Sequence, residues 1–549
     1  MRVSKRASGA LAVGAAFALV ASGCSNGNNG GSDDTGASKD GAIVIEGTQP
    51  ERPLVPADTT ETGGGAIIDY LWTGLVEYPN NGGAPQNAVA ESIETSDSKV
   101  FKIKLKPNTK FHDGTPVKAE NFVKAWNWAA YGPNGAQNAS FFADIEGFDQ
   151  VFTEDPDGPD GPKKAPEPPA KEMSGLKVID DWTFEATLAA PTAVWPTKLG
   201  YSAFVPLPDV FFTQKPEDFG KKNPIGNGPV KFVSWQDDVE IKLTRFDDYS
   251  LRDKMKIKDV TVKMFQEDTA AYAELVSGNI DFMQQVPVSS LAGDKWKADL
   301  GDRAIASVTP STGIIAFPLY DKRFQDPKLR KAISLSINRK EITDKIFFGN
   351  RTPADSWANP LTPGAEPGNC TVCTYDADQA KALFKESSGF TGKMQFFYNG
   401  DASHKEWMEA VAQQVKTTLG IDAVATPMPT FAVFRQNINA HKMTGPYRAG
   451  WQQDYPDVEN WINPLYVTNG SSNDGLYSNA KVDALAKEAA AAPSIAESHK
   501  KFAEAVKIIN DEVPSMPIYF QGQQSGHSEK IKKMELTNVG EIDITSVEL

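Results

Sequence analysis

Cysteine and histidine are scarce, with three and five copies in a chain of 549 residues, and that scarcity removes several function classes. Nucleophilic catalysis needs a nucleophile beside a positioned base, and His112, His404, His441, His499 and His527 stand in no G-x-S-x-G or comparable context. Each histidine therefore reads as solvated or structural. Neither an H-E-x-x-H motif nor a closely spaced ligand group occurs, so no catalytic residue, metal or cofactor is expected. The stretch "NPIGNGP", Asn223 to Pro229, is rich in glycine but lacks the lysine and Ser/Thr of a phosphate loop, and its prolines describe a rigid turn. A surplus of positive charge is missing too. The 71 acids outnumber 56 bases for a net charge of −15, which would repel nucleic acid and leaves any membrane contact to a specific anchor.

What the chain contains is a globular composition, 40% hydrophobic and 10% aromatic, at a length that exceeds one compact core. Arg2, Lys5 and Arg6 precede an apolar run from Ala10 to Ala21 that ends at "VASGC". The run is shorter than the roughly 20 residues that span a bilayer, so residues 1–23 read as a signal peptide. "Val20-Ala21-Ser22-Gly23-Cys24" resembles a bacterial lipobox, which implies that Cys24 is lipidated and becomes the first mature residue, with Ala21 where leucine is commoner. Loss of the three cations with the signal takes the net charge from −15 to −18. Residues 24–41 hold no large apolar side chain and read as a flexible tether spanning roughly 20–25 Å. In an exported protein, Cys370 and Cys373 of "GNCTVCTYD" are most simply a small-loop disulfide. A redox motif and half a zinc site are the competing readings, and no second pair supports them.

Strand and helix patterns alternate along the remainder, giving a mixed α/β class. "VFKIKLK", Val100 to Lys106, has period-two spacing, while "AENFVKAWNWAAYG" from Ala119 puts Phe122, Val123, Trp126 and Ala129 on one helical face. Further helices are expected at 270–277, 327–337, 340–348, 377–386, 405–419 and 495–512. The Pro- and Gly-rich Glu154 to Lys171 reads as a surface insertion; its prolines and missing terminal glutamate argue against a calcium loop.

Six stretches, in order, resemble one family: "FHDGTPVKAENFVKAW" from Phe111, "NPIGNGPVKFVSW" from Asn223, "ELVSGNIDF" from Glu274, "FQDPKLRKAISLSINRKEITDKIFFG" from Phe324, "YDADQAKALF" from Tyr375 and "GWQQDYPDVENW" from Gly450. The family is the extracytoplasmic solute-binding proteins, family 5, of ABC importers, the class containing oligopeptide- and dipeptide-binding lipoproteins. The resemblance runs from about Ile43 to the C-terminus. It implies a two-lobed fold like the type II periplasmic binding proteins, hinged, with an extra N-terminal subdomain. On that pattern lobe one takes 42–75, 190–312 and 515–549, the extra subdomain 76–189, and lobe two 313–514. It also implies a monomeric, non-enzymatic receptor, lipid-anchored to the cell membrane of a bacterium, that hands oligopeptides to an ABC permease.

In oligopeptide-binding members the segment matching "RAGWQQDY" carries an aspartate for the peptide ammonium and, six residues earlier, an arginine for a carboxylate. Asp454 and Arg448 match those positions, with Gly450, Trp451 and Gln452 between them. A zwitterion presents one cation and one anion, each of which needs an opposite partner when buried. Six residues of strand span about 20 Å, so the two cannot pair with each other. A tripeptide measures only about 7–10 Å, so the segment must bend, as Tyr455 and Pro456 would allow, or the arginine must reach inward. Across the cleft, Glu61 and Thr62 of "TTETGGG" occupy the place of first-lobe contacts, and Gly63 to Gly65 depart from the family pattern. The alternatives are a receptor of the same class for a sugar, metal chelate or other solute, a surface hydrolase, and a structural lipoprotein.

Overall fold

The computed structural model describes residues 41–549 apart from 81–83, 157–162 and 253–254. The expected signal peptide and Cys24, with all but the last residue of the expected tether, lie outside the described residues. None of the described helices is long and apolar enough to cross a membrane.

Six elements position the site: β1 (Ala42–Gly47), α1 (Thr62–Leu71), β2 (Ala304–Ala316), β3 (Tyr447–Gln452), α2 (Glu459–Tyr466) and β4 (Ser515–His527). The four strands belong to an 11-stranded mixed sheet. From one edge it runs Asp422–Met428, Lys393–Asn399, β3, β2, β4, Phe282–Met283, β1, Asp259–Met264, Glu240–Arg245 and Val230–Gln236, with Thr352–Pro353 also on β4. A four-stranded antiparallel sheet carries the strand expected from "VFKIKLK", observed as Val100–Leu105. Its alternate residues Phe101, Ile103 and Leu105 are buried, as period two demands. The helix Ala119–Ala130 packs on this sheet, with Phe122 stacked 5.8 Å from Phe184. The other expected helices are present within a few residues of their ends, and the described residues of 154–171 form neither helix nor strand.

Two large hydrophobic cores divide the molecule into lobes. One gathers Ile43, Leu71, Phe122, Trp126, Trp195 and Val260; the other gathers Ile315, Phe324, Trp407, Trp461, Phe502 and Ile518. Cutting one of the fully buried tryptophans to alanine would cost about 3–5 kcal/mol. The cores are joined where β2 and β4 cross antiparallel. Ala304–Val308 pairs with Gly526–Gly522 on the first side, and Thr312–Ala316 with Phe520–Ser515 on the second, with a register shift between Val308 and Thr312. That irregularity breaks the ladder where the strands leave one core for the other, and a broken ladder bends more readily than a continuous one. Only glycine fits at 313, because a Cβ there would overlap the Tyr519 ring crossing the strand.

In the second lobe, Cys370 and Cys373 are disulfide-bonded, their Cα atoms 5.3 Å apart. The "NPIGNGP" turn leads into a strand, not a helix. It is pinned by His112, whose Nδ1 accepts from the Gly226 amide at 3.1 Å, and burial lowers that imidazole to about 4. His112 is therefore a neutral structural histidine.

Candidate functional site

Between the two cores lies a cavity of about 560 Å³, a size suited to a small ligand. All seven residues singled out as ligand contacts line it: Glu61 and Thr62 on one side, Arg448, Gly450, Trp451, Gln452 and Asp454 on the other. Residues 309, 311–314, 519, 521 and 523 of the crossing strands form its back.

The second-lobe wall is built on β3. Its residues pair antiparallel with β2 from Tyr447–Ala316 to Gln452–Ser311. On its other edge only Tyr447 has a partner, Phe397. From Arg448 onward that edge has no neighbouring strand among the described residues, so its free amides and carbonyls border the cavity. Gly450 is exposed there, and Trp451, 8% exposed, turns into the second core.

The chain stays extended through Gln453, whose amide donates to the Pro310 carbonyl at 3.1 Å. The expected bend at Tyr455 and Pro456 is present, but it begins at Asp454 and so leaves the Arg448–Asp454 separation near the full span of the strand. Tyr455 instead reaches into the first core, its ring edge-on to Phe141 at 6.4 Å.

Asp454 is held by a residue that sequence reasoning missed. The fully buried Asn460, on α2, donates through Nδ2 to Asp454 Oδ2 at 2.8 Å, while its Oδ1 accepts from the Asp454 amide at 2.8 Å and from Trp451 Nε1 at 3.2 Å. These bonds fix the carboxylate's direction. No cation lies within ion-pair distance of it among the described residues, and burial, with Asp69 adding to it, raises its pKa to about 7 against the Asn460 bond. The only signal in the sequence was an amide six residues beyond the aspartate, which by itself specifies nothing.

Arg448 donates from Nε to Asn399 Oδ1 at 2.8 Å, and its guanidinium lies 5.2 and 5.6 Å from the Phe431 and Phe434 rings. Burial lowers its pKa to about 10, still far above neutrality. It has no carboxylate partner among the described residues, and the two strand charges are left unpaired, as their spacing requires.

Glu61 has a local task. It is the N-cap of α1, where Oε1 accepts from the Gly64 amide at 2.8 Å and the Glu51 amide at 3.2 Å. Two of the three glycines have a physical reason: a Cβ at Gly64 would collide with this carboxylate and one at Gly63 would crowd it and Thr48, whereas Gly65 opens into the cavity with nothing near it. Burial raises the Glu61 carboxyl to about 7. Thr62 is exposed at the start of the helix.

Most other charges around the cavity are paired. Arg252 holds Glu77 at 2.5 Å and Asp543 at 3.7 Å, and Arg435 holds Asp474 at 2.7 Å and Glu51 at 3.5 Å. Among the described residues no group of three or more metal-ligating side chains is assembled.

The family described as bacterial extracellular solute-binding proteins, family 5 middle, matches residues 84–473. The oligopeptide-binding protein OppA of Bacillus subtilis is 24% identical over 551 residues, covering 96% of each chain. Among solved structures, the murein tripeptide binding protein MppA of Escherichia coli superposes with a TM-score of 0.82 at 22% identity, over 92% of this chain and 99% of that one. Haemophilus influenzae OppA in complex with RPPGFSPFR gives 0.81 at 23%, over 92% and 98%. The chain shares the fold of those solved structures over nearly its whole length, and it belongs to the bacterial extracellular solute-binding proteins, family 5.

Proposed function

We propose that this protein captures oligopeptides in the cavity between its lobes and delivers them to the membrane subunits of an ABC importer. The observation that carries the reading is the free edge of β3 between an unpaired cation and an unpaired anion. A peptide laid along that edge extends the sheet through main-chain hydrogen bonds, which are indifferent to its side chains. Its ammonium meets Asp454 and its carboxylate, or a carbonyl, meets Arg448. With the strand extended between them, a peptide of up to about six residues fills the span, and a shorter one relies on the long arginine side chain bending inward. Trp451 and Gln452 border the ligand, while Thr62 and the Glu61 cap lie across from it.

The lobe division that fits this reading takes 42–75, 190–312 and 515–549 as lobe one, 76–189 as the extra subdomain and 313–514 as lobe two. The break near Val308 to Thr312 supports the passage from lobe one to lobe two there, while Met516, Ile518 and Tyr519 still pack in the second core, so the return crossing falls past Phe520 rather than at 515. Closure of such lobes supplies recognition without chemistry, so the protein acts as a receptor and not as an enzyme. Cys24 carries the lipid, and residues 24–41 tether a monomeric receptor to the bacterial membrane.

The test is to purify the mature protein gently, denature it and identify the released small molecules by mass spectrometry. Peptides of about two to six residues are expected; a uniform non-peptide ligand would sink the reading and favour a solute of another class.

A further inference from the structure

We infer that the cavity contains a second anionic subsite, formed by Asp69 and Glu541, that receives a basic side chain of the bound peptide. This rests on the peptide reading and adds a preference to it: a lysine or arginine within the ligand.

Two separate segments build the pair. Asp69 stands on α1 and opens into the cavity. Glu541 follows a turn in which Gly540 takes φ +86°, its carbonyl accepts from Gln523 Nε2 at 2.5 Å, and the Thr537 amide donates to the Glu541 carbonyl at 2.7 Å. The hydroxyl of Tyr70, next to Asp69, donates to the Ile542 carbonyl, next to Glu541, at 3.3 Å and ties the two segments together. Glu541 is only 8% exposed, yet its carboxylate faces the cavity with no hydrogen-bond or ionic partner among the described residues. Asp69 has none there either. Burial raises both carboxyls, and Asp69 raises Glu541 further. Burying an acid that nothing bonds is costly unless something arrives to bond it.

Charge accounting gives the class of that arrival. Arg252 and Arg435 are committed to the acids beside them. A zwitterionic peptide satisfies Asp454 and Arg448, and Glu61 is occupied as a helix cap. Asp69 and Glu541 remain. Glu541, enclosed without a partner, and Asp69, exposed to the cavity, disfavour joint ionisation, and the negative charge they carry has no cation within ion-pair distance among the described residues. One ammonium or guanidinium at the end of a flexible stem matches that charge and can take oxygens of both acids. Because Asp69 also acts on Asp454, the basic residue sits toward the ammonium end of the peptide.

The experiment is calorimetric titration of the mature protein with pentapeptides carrying a single lysine at each position in turn, each matched to a twin with norleucine in its place. At one position or more in the ammonium half, the lysine peptide is expected to bind about ten-fold tighter or more, and D69N/E541Q to erase that difference. Equal affinities at every position, or a difference that survives in the double variant, would overturn the subsite and leave the peptide reading intact. If no pentapeptide binds, the peptide reading is what fails. The pair is then read with 1,5-diaminopentane: binding to the wild type that is lost in D69N/E541Q upholds a cation subsite, and no binding or unchanged binding overturns it.

Discussion

Asp454 and Asn460 show how a single carboxylate is prepared for a cation. Its carboxyl, raised by burial to about 7, is ionised only in part at neutral pH in the ligand-free protein, and a bound ammonium would draw the remaining proton off. Affinity for peptides should therefore rise as pH increases through about 7, with proton release detectable as a buffer-dependent heat; an affinity flat from pH 5 to 8 contradicts the assignment. The same shift has a stability sign. The folded pKa lies above the unfolded one, so this group costs nothing below about pH 4 and destabilises increasingly up to about 7. Ligand-free D454N should melt above the wild type at pH 8 and with it near pH 4, while losing peptide affinity. Asn460→Ala removes three hydrogen bonds and leaves buried groups unpaired at about 1–3 kcal/mol each. Peptide affinity should fall about ten-fold or more, and unaltered binding would show that the carboxylate needs no such support. Asp454 could be singled out from the matching motif because one residue type carries its role. Asn460 could not, because its role depends on where α2 packs.

At the level of elements, the free edge of β3 makes a prediction about the ligand and not about the protein. A peptide paired through its main chain should tolerate side-chain changes yet lose affinity when backbone amides are methylated, by about 0.5–1.5 kcal/mol for each hydrogen bond removed. Calorimetry with a series of N-methylated peptides reads this directly, and full affinity for every member would remove the edge from the binding mode. Strands and helices with a strong period were legible in the sequence, as Val100–Leu105 and Ala119–Ala130 illustrate. The helix α1 was not, since it opens through Gly63 to Gly65, residues that disfavour helix by about 1 kcal/mol each. Close packing around the Glu61 cap overrides that propensity. The free edge was equally invisible, because which strand lies beside which is a matter of topology.

At the scale of the whole molecule, contacts between the lobes set how closure is held. Lys198 is 5% exposed and contacts Glu459 at 2.5 Å and Asp144 at 2.6 Å, joining the start of α2 to the first lobe. Burial alone would discharge this ammonium, but the two carboxylates outweigh it and raise its pKa. Breaking a buried pair by removing one partner costs about 3–5 kcal/mol. Lys198→Met should therefore weaken peptide binding and enlarge the radius of gyration of the peptide-saturated protein in small-angle scattering. An unchanged radius and affinity would exclude the contact as a closure latch. By itself the sequence determined the class of fold, the family and the identity of the strand charges, because local period, residue type and spacing are written along the chain. Only the tertiary structure decided that Asn460 holds Asp454, that Asp69 and Glu541 share one cavity and that β3 has an open edge. The first comes from α2 folding back on the end of β3 and the other two from segments far apart in the chain meeting in space, where burial and missing partners give an ordinary acid or a bare strand edge its chemistry.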